Sequence, residues 1–184
     1  MLFRDKGRYC CFGRFYLPED AIVRGEPNYD RYRAWSEAGL ITLTPGGKID
    51  YEFVERDILM DLKNFQVSAI AYDTWNAGYL NTRLEMVGAP MREFPQTVPR
   101  LSEPMKELAA LVNGGSMQHD GNGALTWMVS NVQVKRDARE NVFPSKARPE
   151  NKIDGAVALI MALGQSMKSI HATNIYEDPA TCVI

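Results

Sequence analysis

The chain has 184 residues, 45% hydrophobic and 24% charged, with 23 acids against 21 bases and a formal net charge of −2. Those values describe one globular domain with a sizeable core, and argue against a stand-alone nucleic-acid binder held by bulk positive charge. Cysteines at positions 10, 11 and 182 and histidines at 119 and 171 leave neither a disulfide framework nor a zinc pattern. No apolar run is long enough to span a bilayer and no signal peptide opens the chain, so the expectation is a cytoplasmic protein without a membrane partner.

In chain order, Met1 to Phe3 is apolar, residues 4 to 7 read as a turn, and Arg8 to Leu17 predicts an aromatic-rich strand ending at Pro18. That is a hairpin with one very short arm, which predicts a strand whose earlier part is missing. A weak helical pattern runs from Tyr29 to Ala38, closed by Gly39. A short strand covers Leu40 to Leu43, and a Pro-Gly-Gly turn follows. Asp50 reads as the N-cap of a helix from Tyr51 to Asn64, with Phe53, Val54, Ile58, Leu62 and Phe65 inward. Val67 to Tyr72 is a short apolar run with β-branched and aromatic residues, hence a buried, central, parallel strand. Helices are expected from Asn76 to Val87 and from Ser102 to Val112, with a short strand at Met91 to Phe94 between them.

Residues 117 to 123 read as a polar loop, and Ala124 to Val134 keeps no single period, so strand and helix stay open there. Residues 135 to 152 form a polar segment with six bases (Lys135, Arg136, Arg139, Lys146, Arg148, Lys152) against three acids (Asp137, Glu140, Glu150). The plainest reading is a solvated loop; the sharper one is a phosphate-contacting loop beside a site. Ile153 to Met167 is a strongly apolar helix, and residues 168 to 184 are expected to be an irregular tail.

Two acids stand out. Asp73 follows the apolar strand, at the carboxyl end where open α/β sheets bind ligands. Asp154 sits in the first turn of the apolar helix. A strand end and a helix start together suit a shared Mg²⁺ or Mn²⁺, which take oxygen ligands and serve phosphate chemistry in pairs. The simpler alternative for Asp73 alone is an N-cap on the next helix. Two ions generally need more than two acids, and no other Asp or Glu has a comparable context.

Residues Ala71-Tyr-Asp-Thr-Trp-Asn-Ala77, Phe94-Pro-Gln-Thr97, His119-Asp-Gly-Asn122, Ser130-Asn131, Lys146 and Lys152-Ile-Asp-Gly-Ala-Val-Ala158 resemble the nuclease domain of the large terminase subunit of tailed bacteriophages. Phe15 to Pro18 and Leu43 to Gly46 fit as well. The resemblance implies a ribonuclease H-like α/β fold: a mixed sheet of about five strands, the first three antiparallel, flanked by helices. It implies metal-dependent cleavage of concatemeric viral double-stranded DNA during packaging. Asp73 and Asp154 match two of the family's three metal-binding acids, with Mg²⁺ or Mn²⁺ as cofactor, and His119, Asn131 and Lys146 fall at recurrent positions near the site. In the intact family protein the partners are the ATPase domain, the small terminase subunit and the portal, in the host cytoplasm.

The chain departs from that pattern in two ways. The family's first metal-binding Asp, early in the first strand, has no match, and no Gly-x-x-x-x-Gly-Lys-Ser/Thr loop marks the packaging ATPase. The expectation is therefore a nuclease-like domain over residues 1 to 167, impaired by a missing strand, with the edge left open for self-association. The alternatives are an inactive prophage remnant, or a DNA- or protein-binding module of the packaging motor using residues 135 to 152.

Overall fold

A computed structural model of the chain describes residues 1–74, 78–172 and 181–184, with backbone alone at 169–172 and 181–182. Its strands are β1 (Leu2–Asp5), β2 (Arg8–Cys11), β3 (Tyr16–Pro18), β4 (Thr42–Thr44), β5 (Val67–Tyr72), β6 (Met91–Glu93), β7 (Met117–His119), β8 (Val132–Arg136), β9 (Val142–Lys146) and β10 (Thr181–Val183). Its helices are α1 (Tyr29–Glu37), α2 (Tyr51–Asn64), α3 (Gly78–Met86), α4 (Val98–Asn113), α5 (Gly123–Ser130) and α6 (Asp154–Ala172).

The main sheet runs β6-β5-β10-β1-β2-β7. It is mixed: β1 is antiparallel to both its neighbours, and every other pairing is parallel. Leu2, Val183 and Ala69 lie on one rung of adjacent strands and point to the same face. There they meet Leu159 and Leu163 of α6 and Leu125 of α5 in the largest core cluster. The middle of α6 is enclosed on all sides: Leu159 to Ser166 is buried without a break. A helix so enclosed belongs in the centre of a fold. On its other side α6 joins α4 and β9 through Phe94, Leu101, Met105, Val142, Ile160 and Met161.

Gly164 sets how closely α6 and α4 approach. A Cβ there would lie 2.6 Å from Pro104 Cγ and 2.8 Å from Phe94 Cζ. Both neighbours are fixed, Phe94 by full burial and Pro104 by its ring inside α4. Gly164→Ala is expected to lower stability by about 1–3 kcal/mol through overpacking, despite alanine's better helix propensity. A chemical-denaturation midpoint at or above wild type would contradict this contact.

Several sequence expectations hold to the residue. Asp50 caps α2, its Oδ1 accepting from Glu52 N at 2.9 Å, and β5 spans the expected run. Others change. The strand expected from Arg8 to Leu17 is split: β2 stays in the main sheet, and β3 leaves it to pair in parallel with β4. The first three strands are therefore not one antiparallel set. The polar loop at 117 to 123 begins with β7, and the ambiguous stretch after Ala124 is a helix, α5, followed by a strand, β8. The basic segment is only partly a loop: β8 and β9 form an antiparallel hairpin, its turn held by Asp137 accepting from the backbone N–H groups of Arg139 and Asn141, and residues 147–152 stay irregular.

The inward face of α2 is also corrected. Its buried side chains are Glu55 and Asp61; Phe53, Val54, Ile58 and Leu62 are half-buried and Phe65 is 41% exposed. Arg14 clasps Asp61 through two hydrogen bonds of 2.6 and 2.8 Å, and Arg83 Nε donates to Glu55 at 2.9 Å. A periodicity of apolar residues marks a helix, but here paired charges dock it.

The expected irregular tail meets two regular elements: α6 continues to Ala172, and β10 enters the sheet between β5 and β1. The open edge expected beside the first strand is thus filled, because β1 is paired on both sides. The helix expected from Asn76 begins at Gly78 among the described residues; positions 75 to 77 lie outside them.

Candidate active-site cleft

Strand β5 delivers Asp73 immediately beyond its last residue. The Phe94 N–H donates to Tyr72 O at 2.8 Å, so β6 stays beside β5 up to that point. Phe94 is 1% exposed and anchors the segment, and Pro95 stops the strand. The next side chain, Gln96, then donates from Nε2 to Asp73 Oδ2 at 2.9 Å.

Asp154 arrives from the opposite wall as the first residue of α6, where the helix dipole favours a carboxylate. The preceding loop is tied down at two points. Asn28 Nδ2 donates to Glu150 O and Asn131 Nδ2 to Lys152 O, both at 2.9 Å. Gly155 lets the first turn of α6 sit close to the core: a Cβ there would be 2.7 Å from Phe15 Cε1 and 2.9 Å from Met128 Cε.

These elements enclose one cleft of about 520 Å³, with Asp73, Gln96, Lys146 and Asp154 on its lining and Tyr72, Phe143, Val157 and Met161 among its apolar walls. That volume lies within the roughly 300–1,000 Å³ of small-ligand sites. Lys146, at the end of β9, supplies positive charge on the lining shared with the two carboxylates. Nearby, burial pushes the Tyr32 phenol up, the hydrogen bond from Asn28 opposes it, and the charge of Asp154 adds a smaller upward push. The phenol stays a neutral donor and acceptor at any physiological pH.

The donor set suits a hard divalent cation in kind, since both acids offer oxygen. Mg²⁺ is commonly held by one or two carboxylates, with water and substrate phosphate completing the shell. Among the described residues, no three His, Cys, Asp or Glu side chains gather into a larger cation site.

The other residues singled out by sequence fall as follows. Asn131 is outside the lining and acts behind it, holding the loop that presents Asp154. His119 ends β7, the far edge of the sheet, with β10, β1 and β2 between it and β5. Four strand spacings put it about 19 Å away along the sheet. Its Nδ1 accepts from Gly121 N at 3.1 Å, a local turn contact. Two contributors escape the sequence reading of roles: Gln96 and Asn28. Gln96 lies within the Phe94 to Thr97 motif, which is the available signal; Asn28 reaches the site only through the fold.

The family model for the terminase large subunit endonuclease domain matches residues 8–169. Among curated proteins, the chain is 36% identical over 166 residues to protein YmfN of Escherichia coli (strain K12), covering 86% of this chain and 36% of that protein. It is 29% identical over 163 residues to the terminase large subunit of Enterobacteria phage HK97, covering 87% of this chain and 32% of that one. The chain thus spans about a third of the length of these relatives. The crystal structure of the HK97 bacteriophage large terminase superposes with a TM-score of 0.78 at 28% identity, over 88% of this chain and 34% of that one. The large terminase nuclease from thermophilic phage G20c superposes at 0.53 with 15% identity, over 66% and 64% of the two chains, a likeness of fold. With its ribonuclease H-like α/β fold, this chain belongs to the family of terminase large subunit endonuclease domains.

Proposed function

We propose that the chain is a divalent-cation-dependent DNA endonuclease module with a weakened cation site. The observation that carries this reading is that Asp73 and Asp154, distant in sequence, line one cleft together with Lys146. In this reading Asp73 and Asp154 hold Mg²⁺ or Mn²⁺, and Lys146 contacts a phosphate of the bound strand. The ion, when bound, polarises the phosphodiester and lowers the pKa of the attacking water. Gln96 keeps Asp73 turned toward the cleft, and the Asn28 and Asn131 clasps keep Asp154 there. Double-stranded DNA is the substrate. The hairpin β8–β9 borders the cleft through Phe143, Pro144 and Lys146, and a two-stranded ribbon with Lys135 and Arg136 suits a groove of the duplex.

The weakening follows from ligand number: among the described residues two carboxylates line the cleft, and two ions need more. Residues 1–172 together with β10 would form the nuclease unit, with ATPase domain, small subunit and portal as partners of the intact protein. The test is nicking of supercoiled plasmid with Mg²⁺, with Mn²⁺ and with excess EDTA. Slow nicking that needs the ion is expected. Activity that persists in EDTA, or a chain that neither binds Mn²⁺ by calorimetry nor nicks, would overturn the reading.

A further inference from the structure

We propose that Gln96 is the positioning residue of this cleft: it grips one oxygen of Asp73 and leaves the other turned to the cation. The proposal rests on the reading of Asp73 as a cation ligand. Three observations carry it. Gln96 Nε2 lies 2.9 Å from Asp73 Oδ2, and both residues line the cleft. The backbone that presents Gln96 is fixed on both sides, by buried Phe94 before it and by the Thr97 N–H to Pro95 O bond of 2.8 Å and the start of α4 after it. The donor is a neutral amide, so it orients a carboxylate without adding a positive charge that would repel a cation. Lysine or arginine at this place would make an ion pair with Asp73 and compete with the metal. Partners of this kind, one shell out from a metal, typically set about 10–100-fold of its affinity.

Gln96 is exposed and belongs to no core cluster, so a merely structural role predicts nothing at the cleft. Two measurements on the full chain decide the matter. In ¹⁵N-labelled, metal-free protein, the side-chain amide signal of Gln96 is expected to move when Asp73→Ala is made, while other glutamine signals stay. In a Mn²⁺ titration followed by electron paramagnetic resonance, Gln96→Ala is expected to weaken binding about tenfold or more with an unchanged melting midpoint. Gln96→Asn, whose amide is one methylene too short, is expected to match it. A Gln96→Ala affinity within about twofold of wild type overturns the proposal while leaving the cation site standing. An amide signal indifferent to Asp73→Ala overturns the contact itself. Absence of Mn²⁺ binding in wild type overturns the underlying reading, and with it the role of Gln96.

Discussion

Asp73→Asn and Asp154→Asn are each expected to reduce Mn²⁺ affinity by about 100-fold or more and to abolish ion-dependent nicking. Among the described residues the cleft lining carries two carboxylates. Removing either leaves a single carboxylate, which halves the negative charge offered to a strongly hydrated cation and loosens its hold. The loss in rate compounds the loss in affinity, because a misplacement of about 1 Å costs roughly 10²-fold in an oriented reaction. Stability should not follow. Asp73 is half-buried and Asp154 exposed, so each substitution is expected to stay within about ±0.5 kcal/mol of wild type. Calorimetric titration, nicking and thermal melting on the same samples test all three statements. A variant that binds Mn²⁺ like wild type removes its residue from the cation site.

The second large effect concerns β10. Val183→Asp is expected to destabilise the chain by about 4–5 kcal/mol, a large part of the 5–15 kcal/mol that holds a typical domain. Val183 is 1% exposed, and it packs with Leu2, Ala69, Leu159 and Leu163. A carboxylate set among those apolar side chains loses its hydration without an ion pair in return. The substitution also uncouples the sheet, because among the described residues β5 and β6 are joined to β1, β2 and β7 through β10. The backbone bonds involved are Ala71 N–H to Ile184 O at 2.8 Å and Ile184 N–H to Ala69 O at 3.0 Å. Urea unfolding by circular dichroism gives the answer. A wild-type midpoint in Val183→Asp would mean that residues 181–184 are not seated in the sheet in solution.

What the sequence disclosed, and what it hid, divides along the range of the interactions. The cap at Asp50, the strand from Val67 to Tyr72 and the apolar helix after Asp154 are each written in local caps and periods. The same local logic placed Asp73 at a strand end and Asp154 at a helix start. Their meeting in one cleft also agreed with the expectation, although it depends on packing. The splitting of the strand after Arg8 was hidden because its second half finds a partner, β4, beyond an intervening helix. Position 119 looked like a site residue from its motif, yet the strand order carries it to the opposite edge. The inward face of α2 is hidden for a related reason: Glu55 and Asp61 are buried only because Arg83 and Arg14 arrive from other elements to pair with them. The run Thr181 to Ile184 is β-branched and apolar and so carries a local strand signal, yet its place at the centre of the sheet is set by packing alone.

The seating of β10 also has a kinetic side. Residues 2–4 find their partners at 181–183, so the pairing closes a loop that contains every other described element. Closing a loop grows costlier with its length, and chains dominated by such distant pairings fold slowly. During synthesis the β1–β2 hairpin and the β5–β6 pair emerge early, each with one side of a strand unmatched, and they wait for residues 181–184 to leave the ribosome. Over that interval the exposed strand edges are open to chaperones and to neighbouring nascent chains. Completion of the sheet is therefore a late event, timed by when residues 181–184 become free to insert.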